Sequence, residues 1–516
     1  MVYLDRSIDG DDPTWGSPAT CGSTIRADSI DNSSQPILCC GLFQRREIYE
    51  EDEYEDNIWP EPQSGDDKTV LTVETGETSL KISITSFYDE NKKEENILSY
   101  LFTSSRKDNP FFSRPVFEAN ASNLGSKNST LDIYHHANVP YQVEKGAMDH
   151  EDVIDEIIEV LRASKLLKTI VVVGHRVAHG GNRFSSPAII NDTVVDDIKR
   201  ISHPGRKENP ANILGIRLVT KKFPTLPALA VFDTSYHSTM PPKAFTYALP
   251  ESFRSDLQIR KYGSSGMALD FITGVAKSVL QNKMCQQTGL TKNSVSTNFI
   301  VVKLGNEPSA TAVVNGKSAD TSVGFLSNEG VSSGTAIGSI DPGIISYIAK
   351  SKKIPIEEVL QTIEQQSGLR AISGGETDIN ILLKNANEGD ENAALAVDMY
   401  VYNISKHVAS MLVACGGATH GLIFTEGSRE NNHEIREKVM EYLSPALRVN
   451  LCRRRNKQAG RNSQGIISVK GKATKTLLMV IPADDKIVIS LECKKKLPHL
   501  FMEERRGPLF RSIFMG

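Results

Sequence analysis

The sequence predicts an α/β protein made of two similar halves with a cleft between them. Three observations carry this. Residues 70–76 with 80–85, and residues 299–306 with 310–314, are two pairs of β-rich runs that each read as a hairpin. Each hairpin opens a stretch of alternating helices and strands, the pattern of layered α/β domains. The third observation is the apolar run Ala228-Leu229-Ala230-Val231-Phe232, a buried strand that ends on Asp233. A carboxylate at the end of an α/β strand stands where such folds bind ligands. An Asx-turn at a strand end is the plainer reading of the same residue.

Size and composition set the frame. A chain of 516 residues has length for two or three domains. Its formal net charge of −4 creates no field that draws nucleic acid or membrane. No apolar run approaches the roughly 18 residues a membrane span needs. The N-terminus lacks a basic segment followed by an apolar core, so no secretory signal is expected. Cys21, Cys39, Cys40, Cys285, Cys415, Cys452 and Cys493 are scattered without CxxC spacing, which predicts reduced thiols in a cytoplasmic protein.

Along the chain, residues 1–67 are rich in Asp, Ser, Gly and Pro and include an acidic run at 50–56. Such a block repels itself and buries little, which predicts a disordered acidic extension, either a solvated leader or a partner-binding tail. Order begins with the hairpin at Val70. Val153, Ile154, Ile157, Ile158 and Leu161 recur at helical spacing, and residues 169–173 read as a strand. A helix over 211–223 leads to the Asp233 strand. In the second half a long helix is expected over 392–415, then strands at 421–425 and 477–481. Arg453-Arg454-Arg455-Asn456-Lys457 has no aromatic residues among its charges, so it reads as a solvated loop rather than a phosphate or RNA surface.

Several segments together carry a resemblance. They are Gly174-His175-Arg176-Val177-Ala178-His179-Gly180-Gly181, Asn209-Pro210-Ala211-Asn212, and Phe232-Asp233-Thr234-Ser235-Tyr236-His237. Ile259-Arg260-Lys261-Tyr262-Gly263, Leu304-Gly305-Asn306, Gly316-Lys317-Ser318-Ala319-Asp320-Thr321-Ser322, Asp341-Pro342 and Phe424-Thr425-Glu426-Gly427 follow in order. From about residue 70 to 491 the chain resembles the acetate kinase (acetokinase) family. The resemblance implies the duplicated ribonuclease-H-like fold of the acetate and sugar kinase, Hsp70 and actin superfamily. It places one domain at 68–234 plus about 485–516 and the other at 235–484. It implies transfer of a phosphoryl group from ATP to a short carboxylate, with Mg²⁺. It also implies a homodimer; a protein partner held by the acidic extension rests on the extension's own charge, which is outside the match.

Roles follow residue by residue from the resemblance. Arg176 matches the substrate-binding arginine and Asp233 the catalytic carboxylate. Lys81, Lys303, Leu304, Gly305 and Asn306 match phosphate-contacting positions. Asp378, Gly427, Glu430 and Asn431 match the nucleoside region. Arg176, Ala178 and Ser264 match the carboxylate pocket, and Glu74 and Asp485 the metal positions. The chemistry suits these types: a carboxylate nucleophile is already ionised, so the work is positioning and charge neutralisation.

The chain departs from the family pattern at the chemistry. The family's Tyr-Gly-Phe-His-Gly is Tyr262-Gly263-Ser264-Ser265-Gly266, so Ser265 replaces a histidine. Its Gly-Thr-Arg-Ser-Gly is Gly334-Thr335-Ala336-Ile337-Gly338, so Ala336 replaces an arginine. Glu77 puts negative charge on the N-terminal turn, and Lys303 stands for a histidine. The mainly apolar wall of the acetate pocket becomes Ala178, Lys207, Ser264 and Ser327. An arginine on a transferring phosphoryl group is worth about 10³–10⁵ in rate. These losses predict weakened acetate phosphorylation, or an inactive protein with a structural, assembly or regulatory role.

Overall fold

The computed structural model describes residues 68–86, 116–135, 141–143, 146–202, 208–288, 296–425, 432–460, 463, 465–469, 476–483 and 485–504. All belong to one unit, Pro60–Gly516. The acidic extension lies outside the described residues.

Two mixed sheets organise the chain. The first has eight strands: β1 (Thr69–Thr75), β2 (Leu80–Ser86), β3 (Phe117–Ser122), β4 (Thr130–His135), β5 (Tyr141–Val143), β6 (Ile170–Val177), β7 (Ala188–Ile189) and β8 (Ala228–Phe232). Their order is β5-β4-β3-β2-β1-β6-β8-β7. The second has five: β9 (Asn298–Lys303), β10 (Ser309–Val314), β11 (Lys317–Thr321), β12 (Gly421–Thr425) and β13 (Leu477–Val480), in the order β11-β10-β9-β12-β13.

The duplication is visible in the topology. In the first sheet β3-β2-β1 form an antiparallel meander, and β6 and then β8 add in parallel beside β1. In the second, β11-β10-β9 form the same meander, and β12 and then β13 add in parallel beside β9. Both halves therefore follow one plan, as the two hairpins predict.

Parallel strands are buried on both faces and read as continuous apolar runs. Leu229, Ala230, Val231 and Phe232 of β8 and Leu422, Ile423 and Phe424 of β12 are all buried. Each large side chain among them contributes about 1.5–3 kcal/mol. One apolar cluster joins the sheets: Val172 and Val231 from the first, Val301 and Met479 from the second, with Ile272 and Ile489 between them. Ile272 lies on the helix Gly266–Thr288 and Ile489 on the helix Asp485–Glu504. The chain's last described helix thus returns to the first sheet, where Gly174 of β6 leaves room for Ile489 and Cys493.

The long helix Glu391–Ala414 covers the far face of the second sheet, with Tyr400, Ile404 and Val408 fully buried. Its start is fixed by Asp390, whose side chain accepts the Ala393 N–H. The helix expected from 211 begins earlier, as Glu208–Lys222, because Asn209 and Asn212 are buried and bonded there. The basic cluster is not a loop: Arg453–Lys457 is a short helix. Buried Arg436 holds it, donating from Nε to Asn456 Oδ1 at 2.7 Å and from Nη2 to the Asn456 carbonyl at 3.0 Å. Among the described residues no helix is long and apolar enough to cross a membrane.

Candidate active site

The carboxyl ends of β6 and β8 lie side by side, with Arg176 paired to Val231 and Val177 to Phe232. That register sets Arg176 beside Asp233, the first residue after β8. Arg176 Nη2 donates to Asp233 Oδ2 at 3.0 Å, and its Nε lies 3.9 Å from Asp485 Oδ2. Burial works against the Arg176 charge. Asp233, Asp485, Glu74 and Glu208 more than offset this, so its proton is held more tightly than usual.

Asp233 does more than pair with arginine. It is buried in the turn Asp233–Thr239, and its Oδ2 also accepts the Ser265 N–H at 2.7 Å. Its Oδ1 accepts the Met267 N–H at 3.2 Å. The carboxylate therefore holds the N-terminus of the helix Gly266–Thr288, where free N–H groups favour an anion. Gly266 permits this closeness, since a Cβ there would lie 2.0 Å from the Asp233 carbonyl oxygen.

The turn before that helix is tightly held. Ser265 adopts φ +58°, uncommon for a residue with a side chain. His237 is buried, and its Nε2 lies 2.9 Å from the Ser264 carbonyl. A carbonyl only accepts, so Nε2 carries the hydrogen and Nδ1 accepts from the Ser318 hydroxyl at 2.9 Å. Burial pushes His237 below the usual imidazole range, which keeps it neutral.

The second sheet contributes Lys303, at the end of β9. Its Nζ donates to Ser265 Oγ at 3.2 Å and lies 3.6 Å from Glu307. A cation thus stands against the Ser265 side chain. Leu304 is buried, and Gly305 adopts φ +102°. The Gly305 N–H donates to the Tyr400 hydroxyl at 2.9 Å, and that hydroxyl donates back to the Gly305 carbonyl at 3.0 Å. The Asn306 carbonyl accepts the Gly334 N–H, which seats this loop on the segment holding Ala336.

The remaining expected residues fall as follows. Glu74 and Lys81 face each other across the β1–β2 hairpin. The Ala178 N–H is taken by Asn212 Oδ1 at 2.9 Å. Asp378 caps the helix Ile379–Asn387, accepting the N–H groups of Asn380 and Ile381. Beside that helix is a cavity of about 330 Å³ lined by Asn380, Leu383, Lys384, Asn387, Asn432 and His433. Gly427, Glu430, Asn431 and Lys207 lie outside the described residues.

Family-model matching decides the relationship, with the description "Acetokinase family" fitting residues 69–491. The chain belongs to the acetokinase family. It is 35% identical over 343 residues to acetate kinase 2 of Neisseria meningitidis serogroup A, covering 66% of this chain and 82% of the relative. It is 33% identical over 370 residues to the acetate kinase of a Sulfurovum species, covering 71% and 89%. A propionate kinase structure from Francisella tularensis matches with TM-score 0.69 and 29% identity over 82% of this chain and 98% of that one. An acetate kinase structure from Porphyromonas gingivalis matches at 0.67 and 26%, over 83% and 100%. The chain therefore has the duplicated α/β fold of its family.

The acetokinase site suits a hard cation such as Mg²⁺. Asp485 Oδ1 is buried with no hydrogen-bond partner among the described residues. Burial, then the negative charge of Asp233, pushes the Asp485 carboxyl up to about 7, with Arg176 opposing and Glu74 adding to the rise. A carboxylate in that condition is relieved by a nearby cation. Among the described residues, no three of His, Cys, Asp or Glu are grouped to hold a metal unaided.

Two features of this acetokinase site escape the sequence. His237 stands inside the Asp233 motif, but nothing local says that it reaches Ser264 and Ser318. Tyr400 sits mid-helix among apolar residues and reads as core.

Proposed function

We propose that the chain is an ATP-dependent phosphotransferase acting on a small carboxylate, of the acetate or propionate kinase type. One observation carries the reading: Arg176 and Lys303, from the strand ends of two different sheets, converge on the hydrogen-bonded pair Asp233 and Ser265, Arg176 on the first and Lys303 on the second. Phosphoryl transfer needs cations placed around the moving group more than it needs a base.

In this reading the Arg176 fork, aligned by Asp233, orients the acceptor carboxylate. Lys303 meets the phosphate chain near Leu304, Gly305 and Asn306. The nucleoside end takes the cavity beside the Asp378-capped helix. Glu74 and Asp485 would hold Mg²⁺, which neutralises phosphate charge. The polar wall at Ser264 favours an acceptor larger or more polar than acetate, and activity on acetate itself is weak. The proposed domain division is 68–234 plus 485–516 against 235–484.

Hydroxamate trapping of acyl phosphate, with Mg-ATP and a panel of short carboxylates, tests this. Turnover above background that falls in Arg176→Gln supports it; background rates for every carboxylate refute it.

A second reading, a non-catalytic acetokinase-fold protein, is favoured by two specific facts. Both Asp233 oxygens are already engaged by backbone N–H groups, and the Gly305 N–H is spent on Tyr400. Mg-ATP binding without turnover would favour this alternative.

A further inference from the structure

We propose that the cavity of about 480 Å³ behind the Asp233 turn is a second binding site, for a small oxyanion on an apolar body, with Arg260 as its cation. It does not depend on the phosphotransferase reading. Neither Arg176 nor Asp233 is among its lining residues.

The two arginines that line the cavity differ in one respect. Arg254 is compensated: it is ion-paired with Glu251, and its Nε donates to the Leu249 carbonyl. Arg260 has no such partner among the described residues. Its Nε donates to the Lys261 carbonyl at 3.2 Å, and no described carboxylate acts on its charge. Its guanidinium lies over the Phe245 ring, 3.7 Å from the centroid, with Tyr262 at 5.6 Å. Burial pulls its pKa below the usual arginine value. A partly desolvated cation with an unspent N–H edge is costly unless an anion meets it. Stacking on Phe245 fixes the plane of the fork, which suits bidentate capture of a carboxylate or phosphate.

The rest of the wall indicates the size and character of the occupant. Phe184 and Phe245 offer apolar surface, and Asn182, Ser185 and Gln258 offer hydrogen bonds. A single uncompensated cation fits one carboxylate or one phosphate group, not a triphosphate. Thr234 and His237 also line the cavity. Thr234 Oγ1 accepts the Gly180 N–H at 3.0 Å, and His237 holds the Ser264 carbonyl. An occupant therefore touches the residues that brace the Asp233–Ser265 turn from behind.

Calorimetric titration of the full chain with benzoate and, separately, inorganic phosphate tests the site. The wild type should bind at least one of them, and the stronger probe tells a carboxylate from a phosphate source. Arg260→Gln should weaken that binding about tenfold or more, the loss expected for a charged hydrogen-bonded contact. Asn182→Trp, which fills the cavity and leaves Arg260 in place, should do the same. No binding of either probe to the wild type overturns the proposal, as do two variants that titrate like the wild type.

Discussion

Asp233 and Ser265 are joined by a 2.7 Å hydrogen bond from the Ser265 N–H to the carboxylate, 32 positions apart in sequence. The same carboxylate holds Arg176 and Met267, so one side chain sets both the arginine fork and the start of the helix Gly266–Thr288. Asp233→Ala would leave two N–H groups unpaired and the half-buried Arg176 facing only Asp485 at 3.9 Å. It should destabilise the fold by about 3–5 kcal/mol. Asp233→Asn, which keeps an acceptor, should cost less. Urea denaturation of the two variants beside wild type checks the order.

Gly266 is the steric partner of that arrangement. A methyl group added there would lie 2.0 Å from the Asp233 carbonyl oxygen, so Gly266→Ala must push the turn away from Asp233. A loss of about 1–3 kcal/mol is expected, as for other overpacked sites. The nearby Gly274 has open space, so Gly274→Ala serves as the control and should be neutral or slightly stabilising on helix propensity. Urea midpoints of the two variants check the contrast.

His175 supplies a pH dependence. It is buried on β6, its Nε2 has no hydrogen-bond partner among the described residues, and burial lowers its pKa to about 3. The folded state keeps the ring neutral, whereas the unfolded chain takes a proton near pH 6.5. The unfolded state thus binds more protons below that pH, and stability falls as pH drops from about 6.5 toward 3. His175→Leu should flatten this slope in urea midpoints measured between pH 7 and pH 4.5. An unchanged slope would mean that other groups carry it.

Tyr400 and Gly305 make the fourth case. The hydroxyl serves both the N–H and the carbonyl of one glycine, so Tyr400→Phe strands two backbone groups. A stability loss of about 1–3 kcal/mol follows. If Leu304-Gly305-Asn306 cradles phosphate, Mg-ATP affinity should change as well, by calorimetry.

Restoring a family charge tests the proposal that turnover on acetate is weak. Ala336→Arg returns a cation to the segment that meets Asn306 through Gly334. Acetyl phosphate formation should rise at least about tenfold, toward the 10³ an arginine on the phosphoryl group can supply. Lys303→Met should lower whatever turnover the wild type has.

Much of the fold is legible in the sequence because the signals are local. The hairpins at Val70 and Phe299 and the apolar runs of β8 and β12 follow from strand period and burial, and together they give the repeated sheet plan. The basic cluster at Arg453 reads as a loop because its helix depends on Arg436, which lies about twenty residues away and is fully buried. The candidate site is less legible. The motifs name Arg176 and Asp233 separately, whereas their contact, the helix-holding role of Asp233 and the Lys303–Ser265 contact depend on how distant segments pack. Asp378 is named from its segment alone, and its use as a helix cap through Oδ1 is a local feature the motif reading does not include.

The most direct test of the central claim is acyl phosphate trapped as hydroxamate from Mg-ATP and short carboxylates, in the wild type and Arg176→Gln. Weak but measurable turnover, greatest on a polar or longer carboxylate and lost in Arg176→Gln, is the expected result. Background rates with every carboxylate, unchanged by the substitution, would contradict it.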